Sequence, residues 1–259
     1  MVNRKLLLLI SFLLPTILMA QTAVDGLFVA RPDTLPAPMK PQQGSTVPPV
    51  MSFDGTPSSI NSQPSSPNQG QLVLLIGDSM CDGLGSRLSD YAAENGFEFH
   101  CVIWYGSTAK MWATTGDLRY HIERLRPTFI IMSLGTNDMG YHDYTQRELW
   151  IQQIIKQFGD IPYLWIGPLT WRRFSDRTIV DVIRRNVAPN RFFDSTPVYC
   201  QRLDGIHPTF PAAARWTDRI CAWMTRTRLT DGAITWNLPQ RKSVFRPDAK
   251  HTLRYKGRR

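Results

Sequence analysis

A serine stands where an apolar run stops. Leu72-Val-Leu-Leu-Ile-Gly77 leads straight into Asp78-Ser79, and a serine hydroxyl becomes a nucleophile only when a neighbouring base takes its proton. His207, in Asp204-Gly205-Ile206-His207-Pro208, is the candidate base, because imidazole titrates near neutral pH. Asp204, three residues earlier, is spaced to accept the other ring N–H, fixing the tautomer and stabilising the imidazolium. Attack on an ester carbonyl builds an oxyanion, which needs donors aimed at it. The backbone N–H groups of Ser79 and Gly106 and the side-chain amide of Asn137 are candidates for three of them. Gly106 suits the place because a residue without Cβ lets the backbone come close to substrate. Asp78 reads as structural, bonding loop amides near the nucleophile rather than joining the triad.

Each piece alone has a plainer reading. Ser79 could cap a helix after the strand, and Asn137 could close an Asx turn. Their positions along the chain weigh against this. Residues 72–77, 97–106, 128–135 and 161–167 are apolar, β-branched or aromatic runs of strand length, with a short fifth at 190–195. Between and after them, residues 85–96, 116–127, 147–159, 177–187 and 211–228 space their apolar residues as helices do. Continuous apolar strands separated by helices predict a parallel sheet covered on both faces. Functional groups in such sheets gather beyond the carboxyl ends of the strands. Gly77-Asp78-Ser79 follows the first strand, Gly106-Ser107 the second and Gly135-Thr136-Asn137-Asp138 the third, while Asp204 to His207 lie in the loop before the last helix.

On Gly77-Asp78-Ser79, Gly106, Gly135-Thr136-Asn137-Asp138 and Asp204-Gly205-Ile206-His207, the chain resembles the SGNH (GDSL-type) hydrolases from about Leu72 to Met224. The resemblance implies an α/β fold, a three-layer α/β/α arrangement on a flavodoxin-like parallel sheet. It also implies hydrolysis or transfer of acyl groups with neither metal nor other cofactor. By resemblance Ser79 is the nucleophile, Ser79, Gly106 and Asn137 form the oxyanion hole, and Asp204 and His207 complete the triad. Met80 stands where the family's name expects leucine, an apolar exchange of similar volume.

The expected activity is hydrolysis of acetyl or other short-chain esters, with glycans as candidate carriers. An O-acyltransferase using the same Ser–His pair, or a surface-binding module without catalysis, are the alternatives. Trp104, Trp112, Trp165 and Trp171 follow or approach strand ends, where tryptophan could stack on sugar, although it is more often core. Of the other histidines, His100 and His121 read as packing or surface residues, and His142 as a turn residue that could line the cleft. Competing chemistries lack their motifs. Cys81 occupies the second glycine position of a Gly-x-Ser-x-Gly elbow, and neither a dinucleotide fingerprint, a phosphate loop nor a His-Glu-x-x-His helix is present.

The ends differ from this middle. Residues 1–20 place Arg4 and Lys5 before an apolar run from Leu6 to Met19, with Ala20 as a small residue for cleavage. That is the layout of a signal peptide. The run is short for a membrane span and interrupted by Pro15, so export to the periplasm or outside is expected. Residues 21–70, dense in Pro, Ser, Gln and Gly from Pro32, read as a flexible linker, which leaves residues 71–228 as the catalytic domain. From Arg226 to Arg259, ten Lys or Arg face only Asp231 and Asp248, which accounts for +8 of the formal +9. Residues 229–259 therefore read as a solvated basic tail able to touch an anionic polymer or membrane surface, with no nucleic-acid motif beside it. Cys81, Cys101, Cys200 and Cys221 have three possible disulfide pairings in an oxidising compartment.

Overall fold

The structure is a computed structural model, and it describes residues 70–170, 177–227, 230–231, 234–236, 238 and 252–258. Residues 1–69, where the signal peptide and most of the linker are expected, lie outside these, as does Trp171. In chain order the elements begin with β1 (Leu72–Gly77), α1 (Cys81–Asn95), β2 (Glu98–Trp104), α2 (Ala109–Thr114), α3 (Asp117–Leu125) and β3 (Phe129–Ser133). They continue with α4 (Tyr144–Phe158), β4 (Tyr163–Ile166), α5 (Thr178–Asn186), β5 (Phe192–Phe193) and α6 (Phe210–Thr227). An antiparallel pair of two-residue strands, β6 (Thr230–Asp231) and β7 (Ile234–Thr235), and a further strand, β8 (Thr252–Tyr255), follow.

The main sheet is parallel throughout, in the order β5-β4-β3-β1-β2-β8. The apolar runs explain why it is covered twice. In β1, Val73 and Leu75 pack into the core shared with α1 and α6, while Leu74 and Ile76 pack into the core shared with α2 to α5. Successive side chains of a strand point to opposite faces, so a strand apolar at every position must be sandwiched. Burying each such aliphatic side chain contributes about 1.5–3 kcal/mol, which is why β1 is central. The result is the three-layer α/β/α fold that the alternation predicts.

Two short elements and one long reach depart from the sequence reading. α1 begins at Cys81, four residues before its helical spacing becomes visible, and α2 has no clear sequence signal. Gly83 explains the first difference. Glycine weakens helix propensity, yet a Cβ at Gly83 would come within 2.6 Å of Ala213 Cβ on α6. The third departure is in the basic tail. Thr252 to Tyr255 pair with Cys101 to Trp104 as the sheet's outer strand. Tyr255 packs edge-on against Trp104 and His121, and its hydroxyl donates to the buried Asp117 carboxylate at the start of α3. Arg258 Nε reaches the same carboxylate at 2.9 Å. Residues 252–258 are thus structured chain and not a solvated terminus.

Two other expectations are corrected. Trp104, Trp112 and Trp165 are core residues, buried beneath the helices, so they offer no platform to a sugar. The four cysteines are free and buried, and burial pushes the Cys81, Cys101 and Cys221 thiols well up.

Candidate active site

Strand register brings the scattered blocks together. Gly77 lies opposite Ile103 on one side and Ser133 on the other, so the segments after β1, β2 and β3 leave the sheet side by side. The crossing is tight at Gly77, where a Cβ would sit 1.8 Å from the Ser133 carbonyl oxygen. Asp78 N–H donates to that same carbonyl at 3.0 Å.

Two buried carboxylates then tie the three segments to one another. Asp78 accepts from Met80 N–H at 3.0 Å and from Thr136 N–H at 3.2 Å, joining the first loop to the third. Asp138 accepts from Ala109 N–H at 3.0 Å, joining the third to the second. Burial pushes the Asp78 carboxyl up to about 6, against the pull of these hydrogen bonds and with Asp138 nearby. Asp138 is raised as well, again by burial.

Within this frame the polar chain is continuous. His207 Nε2 lies 2.9 Å from Ser79 Oγ, and His207 Nδ1 lies 2.6 Å from Asp204 Oδ2. Asp204 Oδ1 accepts the backbone N–H groups of Ile206 at 2.9 Å and His207 at 2.7 Å, which folds the loop around the carboxylate. The side-chain bond to His207, together with these two amides, holds the Asp204 carboxyl well below the usual carboxylate range. An ionised Asp204 keeps a proton on Nδ1, leaving Nε2 free to accept from Ser79. The helix after Ser79 has no side-chain cap, so the hydroxyl is committed to the imidazole and not to α1.

The candidate oxyanion donors sit on the three segments that follow β1, β2 and β3; Gly106 and Asn137 are not among the residues that line the cleft over Ser79. Gly106 adopts φ +73°, a left-handed conformation that favours glycine, and open space surrounds the position its Cβ would take. Among the described residues, the N–H groups of Ser79 and Gly106 have no hydrogen-bond partner. Asn137 Nδ2 donates to the Ser107 carbonyl at 2.9 Å, which fixes the amide and leaves its second N–H for another acceptor.

A cleft of about 190 Å³ lies over Ser79 and His207. Met80, Tyr105, Leu203, Pro208 and Phe210 give it apolar walls, and Asp82 a polar edge. Sequence reasoning gave Tyr105 no role, although it directly follows β2 and precedes Gly106. It also missed Asp82, which holds the Tyr105 hydroxyl at 2.7 Å. His142 is exposed, bonds Tyr144 and does not line this cleft. Among the described residues no group of three or more His, Cys, Asp or Glu could hold a metal ion.

No protein-family model and no curated protein matches the chain. Its folded part is similar to solved structures at low identity. A gut microbial diltiazem-metabolizing enzyme is 19% identical over 60% of this chain and 47% of its own, with a TM-score of 0.48. A G-D-S-L family lipolytic protein from Desulfitobacterium hafniense is 14% identical over 62% of this chain and 99% of its own, with a TM-score of 0.42. A two-domain esterase active on acetylated mannans is 11% identical over 69% of this chain and 55% of its own, with a TM-score of 0.49. This chain therefore spans about half the length of the first and third.

Proposed function

We propose that the chain is a serine ester hydrolase of the SGNH (GDSL) type, and the observation that carries this is the unbroken path from Ser79 Oγ through His207 to Asp204. His207 Nε2 takes the Ser79 proton as Oγ attacks the ester carbonyl. The amides of Ser79 and Gly106 and the Asn137 side chain receive the developing oxyanion. Collapse breaks the ester C–O bond, His207 returns its proton to the leaving alkoxide, and an acyl-serine remains. Water then enters, gives its proton to His207 and attacks the acyl-serine, and the proton returns to Ser79 Oγ as the acid leaves. Asp204 stays ionised throughout and stabilises the imidazolium.

The small apolar cleft supports a short acyl group, acetyl or a few carbons longer. The basic and then apolar layout of residues 1–20 supports an exported enzyme. A series of p-nitrophenyl esters of rising chain length tests the reading. The wild type is expected to hydrolyse the short members, Ser79→Ala to lose turnover and labelling by a fluorophosphonate, and His207→Ala to lose at least about 10³-fold in kcat. Turnover undiminished in Ser79→Ala would refute the mechanism.

A further inference from the structure

A residue from the far end of the chain contacts the wall of the proposed catalytic cleft. In β8, Arg254 lies opposite Ile103 and Tyr255 opposite Trp104. Tyr255 faces the core of α2 to α5, and alternation turns Arg254 to the other face of the sheet, where α1 begins. There Arg254 Nη2 lies 3.7 Å from Asp82 Oδ1. The other oxygen of that carboxylate, Oδ2, accepts the Tyr105 hydroxyl at 2.7 Å. Arg254 also bonds the Tyr105 hydroxyl itself, and it pulls against burial and Asp82, which together raise that phenol. Asp82 and Tyr105 both line the cleft beside Ser79 and His207.

We propose that the C-terminal strand completes the substrate cleft, Arg254 acting with Asp82 as a positioning residue that fixes the Tyr105 ring as the wall next to Gly106. This rests on the ester hydrolase reading for its substrate and on the Arg254–Asp82–Tyr105 cluster for its geometry. Tyr105 is 46% exposed, so little packing holds its ring, and its hydroxyl contacts do the holding. A ring already fixed loses less freedom when substrate arrives, and immobilising one such side chain costs about 0.5–1.5 kcal/mol. None of the three belongs to the Ser79–His207–Asp204 path, so the effect is expected in substrate binding. The flat guanidinium can serve a carboxylate and a hydroxyl together, where an ammonium is a single point charge.

The test uses the full chain and a short p-nitrophenyl ester. Arg254→Gln and Tyr105→Phe are each expected to raise KM about three- to tenfold with kcat within about twofold. Arg254→Lys is expected to recover part of the loss. In the double variant the second change should add less than about twofold, because both remove the same restraint. Unchanged KM in Arg254→Gln, or two factors that multiply in the double variant, overturns the proposal. The Arg254 side chain is 62% exposed, so thermal melting should not move. An ultraviolet absorbance titration reads the cluster without substrate. The difference between wild type and Tyr105→Phe isolates the Tyr105 phenol, whose ionisation should move to higher pH in Arg254→Gln; no movement overturns the proposal. Absence of wild-type turnover with this movement intact sinks the esterase reading and leaves the cluster standing.

Discussion

At the scale of single residues, the site separates groups that react from groups that hold. Asn137 holds, with one N–H spent on the Ser107 carbonyl, and its other N–H is the proposed oxyanion donor. If the other meets the oxyanion, Asn137→Ala lowers kcat about 10²–10³-fold with little change in KM, as steady-state kinetics on a short ester will read. Asp78 only holds. The folded chain keeps a proton on it up to about pH 6, whereas an exposed aspartic acid releases its proton near 3.8. Between these values the folded state binds more protons than the unfolded one, so this residue's contribution to stability falls as pH rises from 3.8 to 6 and is level above. The change amounts to about 3 kcal/mol. Urea unfolding of Asp78→Asn across that range should show the wild-type slope reduced. The four candidate blocks were legible in the sequence only as a set, because each alone has a plainer cap or turn reading and it is their shared place beyond strands or before the last helix that sets them apart. Tyr105, Asp82 and Arg254 were not, because their meeting depends on which strand lies beside which.

At the scale of elements, glycine marks where sequence reasoning and packing disagree. The start of α1 was hidden by Gly83, a poor helix former that is there for clearance. Gly83→Ala gains up to about 1 kcal/mol of helix propensity. It also drives a Cβ to 2.6 Å from Ala213, and overpacking of this kind costs about 1–3 kcal/mol. The variant should therefore unfold at lower denaturant concentration than wild type, and since Gly83 lines the cleft, its activity should fall as well. A stabilised variant would mean that α1 and α6 can separate freely. β8 was illegible for a different reason. Its alternation of Thr252 and Arg254 with Leu253 and Tyr255 lasts only four residues, inside a stretch whose charge dominates any pattern.

At the scale of the whole molecule, one of the two cores holds all four thiols. Cys81, Cys101, Cys200 and Cys221 all belong to the core beneath α1 and α6. Ellman's reagent should find almost no reactive thiol in the native protein and four after denaturation; fewer than four would mean that pairs have oxidised. The strand-helix alternation made the fold class legible, while the order of its edge was not, since nothing local in residues 252–255 names β2 as the partner. That edge has a kinetic cost. β2 meets β8 across about 150 residues of chain, Cys101 to Thr252, and contacts so far apart form slowly. Until they form, β2 offers bare backbone donors and acceptors to any other chain. A newly made molecule therefore leaves the β2 edge open until β8 pairs with it.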